Sequence, residues 1–201
     1  MDILNLLGRT LGLGLAAGLR LYATVLALGL ALRMGWLTLP PELAPLAVLA
    51  HPAVLITAAV MYAMEFITDK IPWLDSAWDA LHTVIRPLGA AALGLTAFGA
   101  LDPVPRVSLA LLCGAAALGS HATKAATRLA VNQSPEPVSN MGLSLLGDAA
   151  VPAMVWFAVS HPLLAFFSGL ALLALFLLIL WKLARALKRG WAMLRGRLSA
   201  V

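Results

Sequence analysis

The sequence predicts an all-α fold, a polytopic transmembrane bundle of about six spanning helices, on three observations. Of the 201 residues, 62% are hydrophobic and only 11% are charged, with a mean hydropathy of +0.93, which excludes an ordinary soluble domain. The segments 43–64, 87–101 and 149–181 contain no Asp, Glu, Lys or Arg. The Ala/Leu/Gly-rich runs lack an alternation of period two. Of the two structures that satisfy their backbone in lipid, helices are therefore expected over a closed barrel.

The elements follow from the punctuation. A first helix is expected over 3–35, with a break near Gly18 that gives an interfacial first half and a spanning second half. Gly8/Gly12 and Gly14/Gly18 are small-xxx-small pairs that admit a neighbouring helix at close range. Leu39-Pro40-Pro41 ends it, since proline removes a donor and restricts its predecessor. A short surface helix over 42–50 comes next, then helices over 52–70 and 73–99, the latter kinked at Pro87. Turns at Ile71-Pro72, 102–105 and 133–137 separate these from helices over 106–132 and 139–160. The 149–181 stretch exceeds the ~20 residues that cross a core about 30 Å thick, so His161-Pro162 divides it and a last helix runs over 162–188. Residues 1–188 form a single domain and 189–201 a basic tail. Gly18-Leu19-Arg20 loosely echoes Gly119-Ser120-His121, which suggests two inverted three-helix repeats.

The net charge of +5 does not point to nucleic acid. Lys182, Arg185, Lys188, Arg189, Arg195 and Arg197 supply six positive charges, and the rest of the chain carries eight bases against nine acids. A basic tail after an apolar helix is a cytoplasmic anchor under the positive-inside rule, in contact with the lipid bilayer. Six crossings put both termini on that side and gather the polar residues in the cytoplasmic half. The N-terminus lacks the features of a cleaved signal peptide. Cys113, the single cysteine, reads as a packing residue.

Ionisable residues recur at helical spacing inside this lipid-like chain. A charge at the centre of a membrane helix costs roughly 2.5–3.5 kcal/mol on insertion scales, so such residues pair, face water or perform a task. Glu65 and Asp69 stand four apart on one face, as a cation or proton site or as partners of bases on other helices. Asp75, Asp79, His82 and Arg86 form a second stripe. An Asp-x-x-x-Asp pair suits Mg²⁺ on a diphosphate, while Asp75 alone suits a helix N-terminus. His121, Lys124, Arg128 and Asn132 form a basic stripe, and Asn140, Ser144 and Asp148 an amide, hydroxyl and carboxylate stripe. With Arg20 and Lys70 these bring five acids against five bases. Histidine titrates near neutrality, so His82 and His121 are candidate proton relays. No nucleophile elbow, zinc helix or phosphate loop is present, so no catalytic residues and no cofactor are assigned.

Three motifs carry a family resemblance: Gly18-Leu19-Arg20-Leu21-Tyr22; the run from Glu65-Phe66 through Asp69-Lys70 and Pro72 to Asp75 and Asp79; and the run from Gly119-Ser120-His121 through Lys124, Arg128 and Asn132 to Ser139-Asn140. Over roughly residues 10–160 the chain resembles a bacterial membrane-protein family, the domain of unknown function 4126. The resemblance implies an integral membrane protein with no established activity and supplies no catalytic assignment; the expected location is the bacterial inner membrane. The expected function is that of a small transporter or channel-like protein moving an ion or small polar solute through the charged interior, as a homo-oligomer. The alternatives are an intramembrane Mg²⁺-dependent enzyme on a lipid-linked or diphosphate substrate, and a structural or assembly factor.

Overall fold

The structure, a computed structural model, describes residues 2–131 and 137–198. These form seven α-helices and one 3-10 segment: α1 (Ile3–Leu19), α2 (Leu21–Arg33), the 3-10 segment (Pro41–Ala50), α3 (Pro52–Thr68), α4 (Pro72–Ala97), α5 (Pro103–Val131), α6 (Pro137–Ser160) and α7 (Pro162–Leu198). No strand occurs among the described residues. The fold class is helical, as the sequence predicts. Proline opens every element after α2, because its missing N–H is one the first turn leaves unpaired in any case. Asp2 caps α1 by accepting from the Leu4 amide at 3.1 Å, and His51 Nδ1 accepts from the Ala53 amide at 3.3 Å ahead of α3. The predicted turn at 133–136 and Asn132 lie outside the described residues. The predicted tail is helical as far as Leu198.

The first predicted helix is broken two residues later than expected, at Arg20, whose backbone is extended (φ −152°, ψ 94°). The two pieces do not continue in one direction. Arg9 on α1 pairs with Glu42 of the 3-10 segment. On α2, Arg33 Nη1 donates to Ala50 O of the same segment at 3.2 Å, and Gly29 packs against Leu49. In one straight helix Arg9 and Arg33 would stand about 36 Å apart. Here the outer ends of both helices meet one ten-residue segment, while Arg20 between them reaches Ser144 on α6. So α1 runs inward, the chain turns at Arg20, and α2 runs back out.

This geometry corrects two expectations. The first half of the predicted helix does not lie on the surface of the bundle: Ile3 and Leu4 are exposed, but every residue from Gly8 to Gly18 is buried. Nor do the two ends of the chain share one end of the bundle. Gly8 abuts Pro162 at the start of α7, whereas α7 runs away from that point towards the basic tail. The helices α3 to α7 each run along the bundle, whereas α1 and α2 turn back on one another at Arg20. By length and composition, Pro103–Arg128 and Pro162–Ala186 suffice to cross a membrane, and the 3-10 segment with α3, bent by 71°, makes a third if counted together.

The core gathers around α1. Gly8 and Gly12 let it approach α7 and α6, and Gly14 and Gly18 let it approach α5 at Cys113 and Ala117. A Cβ on Gly18 would fall 1.9 Å from Ser120 Oγ and 2.2 Å from the Ala117 carbonyl oxygen. Gly18→Ala is therefore expected to lower stability by about 1–3 kcal/mol, measured by thermal unfolding in detergent. Gly142→Ala on α6, where nothing lies within 4 Å, is the control and should leave the midpoint unchanged.

Candidate functional site

The break at Arg20 leaves the last carbonyls of α1 without helical partners. Arg20 N–H still reaches Ala16 O at 2.9 Å, and of the carbonyls beyond it Gly18 O is approached by Arg86 Nη1 on α4 at 3.5 Å. The interruption thus faces a charged side chain of another helix, while Ser120 Oγ on α5 donates to Leu15 O one turn earlier at 3.0 Å.

Around it lies a buried ionic network. Arg20, 1% exposed, places Nη2 2.6 Å from Asp69 Oδ2 and Nε 2.9 Å from Asp148 Oδ1, and donates to Ser144 Oγ at 2.8 Å. Glu65 is fully buried and receives Arg86 Nη2 at 2.6 Å. Lys124 Nζ stands 3.7 Å from Glu65 and 3.9 Å from Asp69. Arg128 donates to Asp69 at 3.0 Å and pairs with Asp75. Arg86 Nη1 lies 3.4 Å from Asp79 Oδ1. Five carboxylates on α3, α4, α6 and the α3–α4 turn thus face four cations on α1–α2, α4 and α5. With neutral histidines the formal balance is −1. Glu65 Oε2, Asp148 Oδ2, Arg86 Nε and Lys124 Nζ have no hydrogen-bond partner among the described residues.

The two histidines of the stripes are held by both ring nitrogens. His121 Nδ1 accepts from Arg86 at 2.5 Å, so Nε2 carries the proton that faces the Asp79 carbonyl at 3.1 Å. His82 Nδ1 donates to Trp78 O at 2.8 Å and Nε2 accepts from Tyr22 OH at 3.1 Å. Its ring stacks on Trp78, with centroids 4.4 Å apart.

The structure therefore brings together Arg20, Glu65, Asp69, Asp75, Asp79, Arg86, His121, Lys124, Arg128, Ser144 and Asp148, with His82 buried between Asp79 and Arg86 on the same face of α4. The side chain of Asn140 lies outside the described residues. Lys70 does not join: it is exposed, donates to Phe66 O at 3.0 Å and sits over the Phe66 ring. Tyr62, which donates to Asp148 Oδ1 at 2.8 Å, and Tyr22 were not expected from the stripes. They are the two tyrosines of the chain, and Tyr62 stands one helical turn before Glu65, a spacing that carries the signal. No three of His, Cys, Asp and Glu come together as a metal set among the described residues. Asp75 and Asp79 each face an arginine instead.

Two clefts flank the network. One of about 230 Å³ is lined by Asp75, Asp79, Thr83 and Arg128. Another, of about 400 Å³, lies between α2 and α6 and ends on Tyr62 and Asp148.

A helix pair that turns back on itself at a buried ionic network defines a helical protein built around intramolecular charge. The chain belongs to the Domain of unknown function (DUF4126) family, whose model matches residues 7–184, a wider span than the motifs cover. Searches of curated proteins and of solved structures found no match.

Removing one partner of a buried pair strands the other. Arg86→Met is expected to destabilise the protein by about 3–5 kcal/mol, read by denaturant unfolding in mixed micelles. Adding Glu65→Gln in the same chain should restore part of that loss, because the stranded carboxylate is then gone.

Proposed function

We propose that this protein is a small transporter or channel-like protein of the bacterial inner membrane, which moves an ion or small polar solute through the charged interior of its bundle. In this reading α3 to α7 cross the membrane five times, with the basic tail of α7 in the cytoplasm. The pair α1–α2 re-enters from the opposite face. The polar cluster lies in the half of the bundle nearer the cytoplasm, and the protein works as a homo-oligomer.

The observation that carries the reading is the helix break at Arg20 inside an incompletely satisfied network. Broken helices whose ends meet at depth are how membrane transporters build ion and solute sites, and irregular backbone is tolerated there only when covered by protein or lining a cavity. The two clefts add a route. From the α2–α6 side, Asp148 leads to Arg20, Asp69, Arg128 and Asp75 through ion pairs, and Asp75 lines the opposite cleft. That cleft, at about 230 Å³, has room for a handful of waters at ~30 Å³ each, which favours a monatomic cation or a proton over a larger solute. The balance of −1 favours a positive one.

The density of pairing favours a second reading, in which the network serves helix assembly alone. Flux separates the two. Purified protein in liposomes, with H⁺, Na⁺ and K⁺ gradients imposed in turn, should pass one of these cations faster than empty vesicles. Asp79→Asn and Glu65→Gln should each cut that flux by about tenfold or more, while circular dichroism and elution volume stay unchanged. Wild-type flux equal to that of empty vesicles, or equal flux in both variants, rules the transport reading out.

A further inference from the structure

Beyond the network, the most informative surface is the lateral groove between α5, α6 and α7, of about 610 Å³. Its residues are ordered along the helices. Lys124, Thr127 and Arg128 stand in the last two turns of α5, and on α7 the groove runs from Ile179 back to Leu172. It then continues into a second cleft of about 600 Å³ between α6 and α7, with which it shares Ala150, Met154 and Leu172 and which extends to Leu164. From Ile179 to Leu164 is about 22 Å along α7. That exceeds half of a hydrocarbon core about 30 Å thick, enough for one acyl chain. The walls beyond the cationic end are apolar.

At the cationic end the Lys124 ammonium nitrogen is itself buried beneath the groove wall and has no hydrogen-bond partner among the described residues, although an ammonium carries three donors and the side chain is 12% exposed. Its nearest carboxylates, Glu65 and Asp69, are 3.7 and 3.9 Å away, and Arg86, Arg20 and Arg128 hold them more closely. The α7 segment beyond Ile179 carries Lys182 and Arg185 within two turns, so the positive charge continues past the groove's mouth. Basic pockets between membrane helices on the cytoplasmic side take anionic headgroups.

We infer that this groove binds one anionic phospholipid, its phosphodiester on Lys124 beside Arg128 and an acyl chain along α6 and α7. The site requires that the chain lie in a bilayer, and it shares Lys124 and Arg128 with the network. The lipid would supply the hydrogen-bond acceptor that Lys124 lacks and seal the gap between α5 and α6.

The test is lipid retention. The full chain is reconstituted in nanodiscs containing phosphatidylethanolamine in excess over phosphatidylglycerol, released, and weighed by native mass spectrometry. The expected result is one phosphatidylglycerol retained per chain, with retention falling roughly fivefold or more in Lys124→Met and kept in Lys124→Arg. Leu172→Trp, which fills the apolar part and leaves the charges in place, should also expel it. Inorganic phosphate added at high concentration should not displace the lipid. Equal retention of the two lipids, retention unchanged in both Lys124→Met and Leu172→Trp, or displacement by phosphate would each overturn the assignment. Flux is not read in this experiment, so its failure leaves the transport reading untouched, and the converse holds.

Discussion

A guanidinium keeps its charge wherever the chain puts it, and the chain puts one at the centre of the bundle. Arg20 is 1% exposed and stands where a helix stops and turns back. An uncompensated charge there would cost several kcal/mol, so its surroundings are bound by that requirement. Asp69 at 2.6 Å and Asp148 at 2.9 Å answer it directly, and they in turn fix how α3 and α6 stand against α1. Asp69 then brings in Arg128, Arg128 brings in Asp75, and Glu65 brings in Arg86. The register of α3 to α6 around α1 follows from one charge that has to be paired.

The helices and most of the site were legible in the sequence because both have a period. Asp75, Asp79, His82 and Arg86 fall on one face of α4, and all four are buried while the exposed residues Leu81 and Val84 lie between them. The stripe on α5 likewise turns inward through His121 and Arg128. Prolines marked the boundaries ahead of α3 to α7 because their effect on the backbone is local, but α5 opens at Pro103 and α6 at Pro137, inside the stretches expected as turns. The return of the chain at Arg20 was not legible. A straight helix over 3–35 and two short antiparallel ones have the same hydropathy, and what distinguishes them, Arg9 with Glu42 and Arg33 with Ala50, is pairing across a distance that no period records. The expectation of six spans rested on reading that element as one straight helix, and two to three helices meet the length and composition of a span. Lys70 was misplaced for a related reason. It follows Asp69 directly, but adjacent residues on a helix point apart, and the carboxylate turned inward while the ammonium turned out over Phe66.

Helix association and the ionic network are separate devices in this molecule. Gly8, Gly12, Gly14 and Gly18 bring α1 against α7, α6 and α5 at backbone contact, which is how membrane helices associate without charge. Close packing is therefore available from small residues along the whole buried length of α1. A set of charges placed for packing alone would balance and leave no donor or acceptor idle, and an apolar replacement of equal volume would commonly be as stable. This set does neither. It carries one carboxylate more than its cations, and Glu65 Oε2, Asp148 Oδ2 and Lys124 Nζ have no hydrogen-bond partner among the described residues. Two of these residues border clefts. Asp148 borders the cleft between α2 and α6, and Lys124 borders the groove between α5, α6 and α7. Glu65 lies between them, against the cations of both. Packing by small residues explains how the helices meet, and it leaves the surplus carboxylate of the network without a packing role.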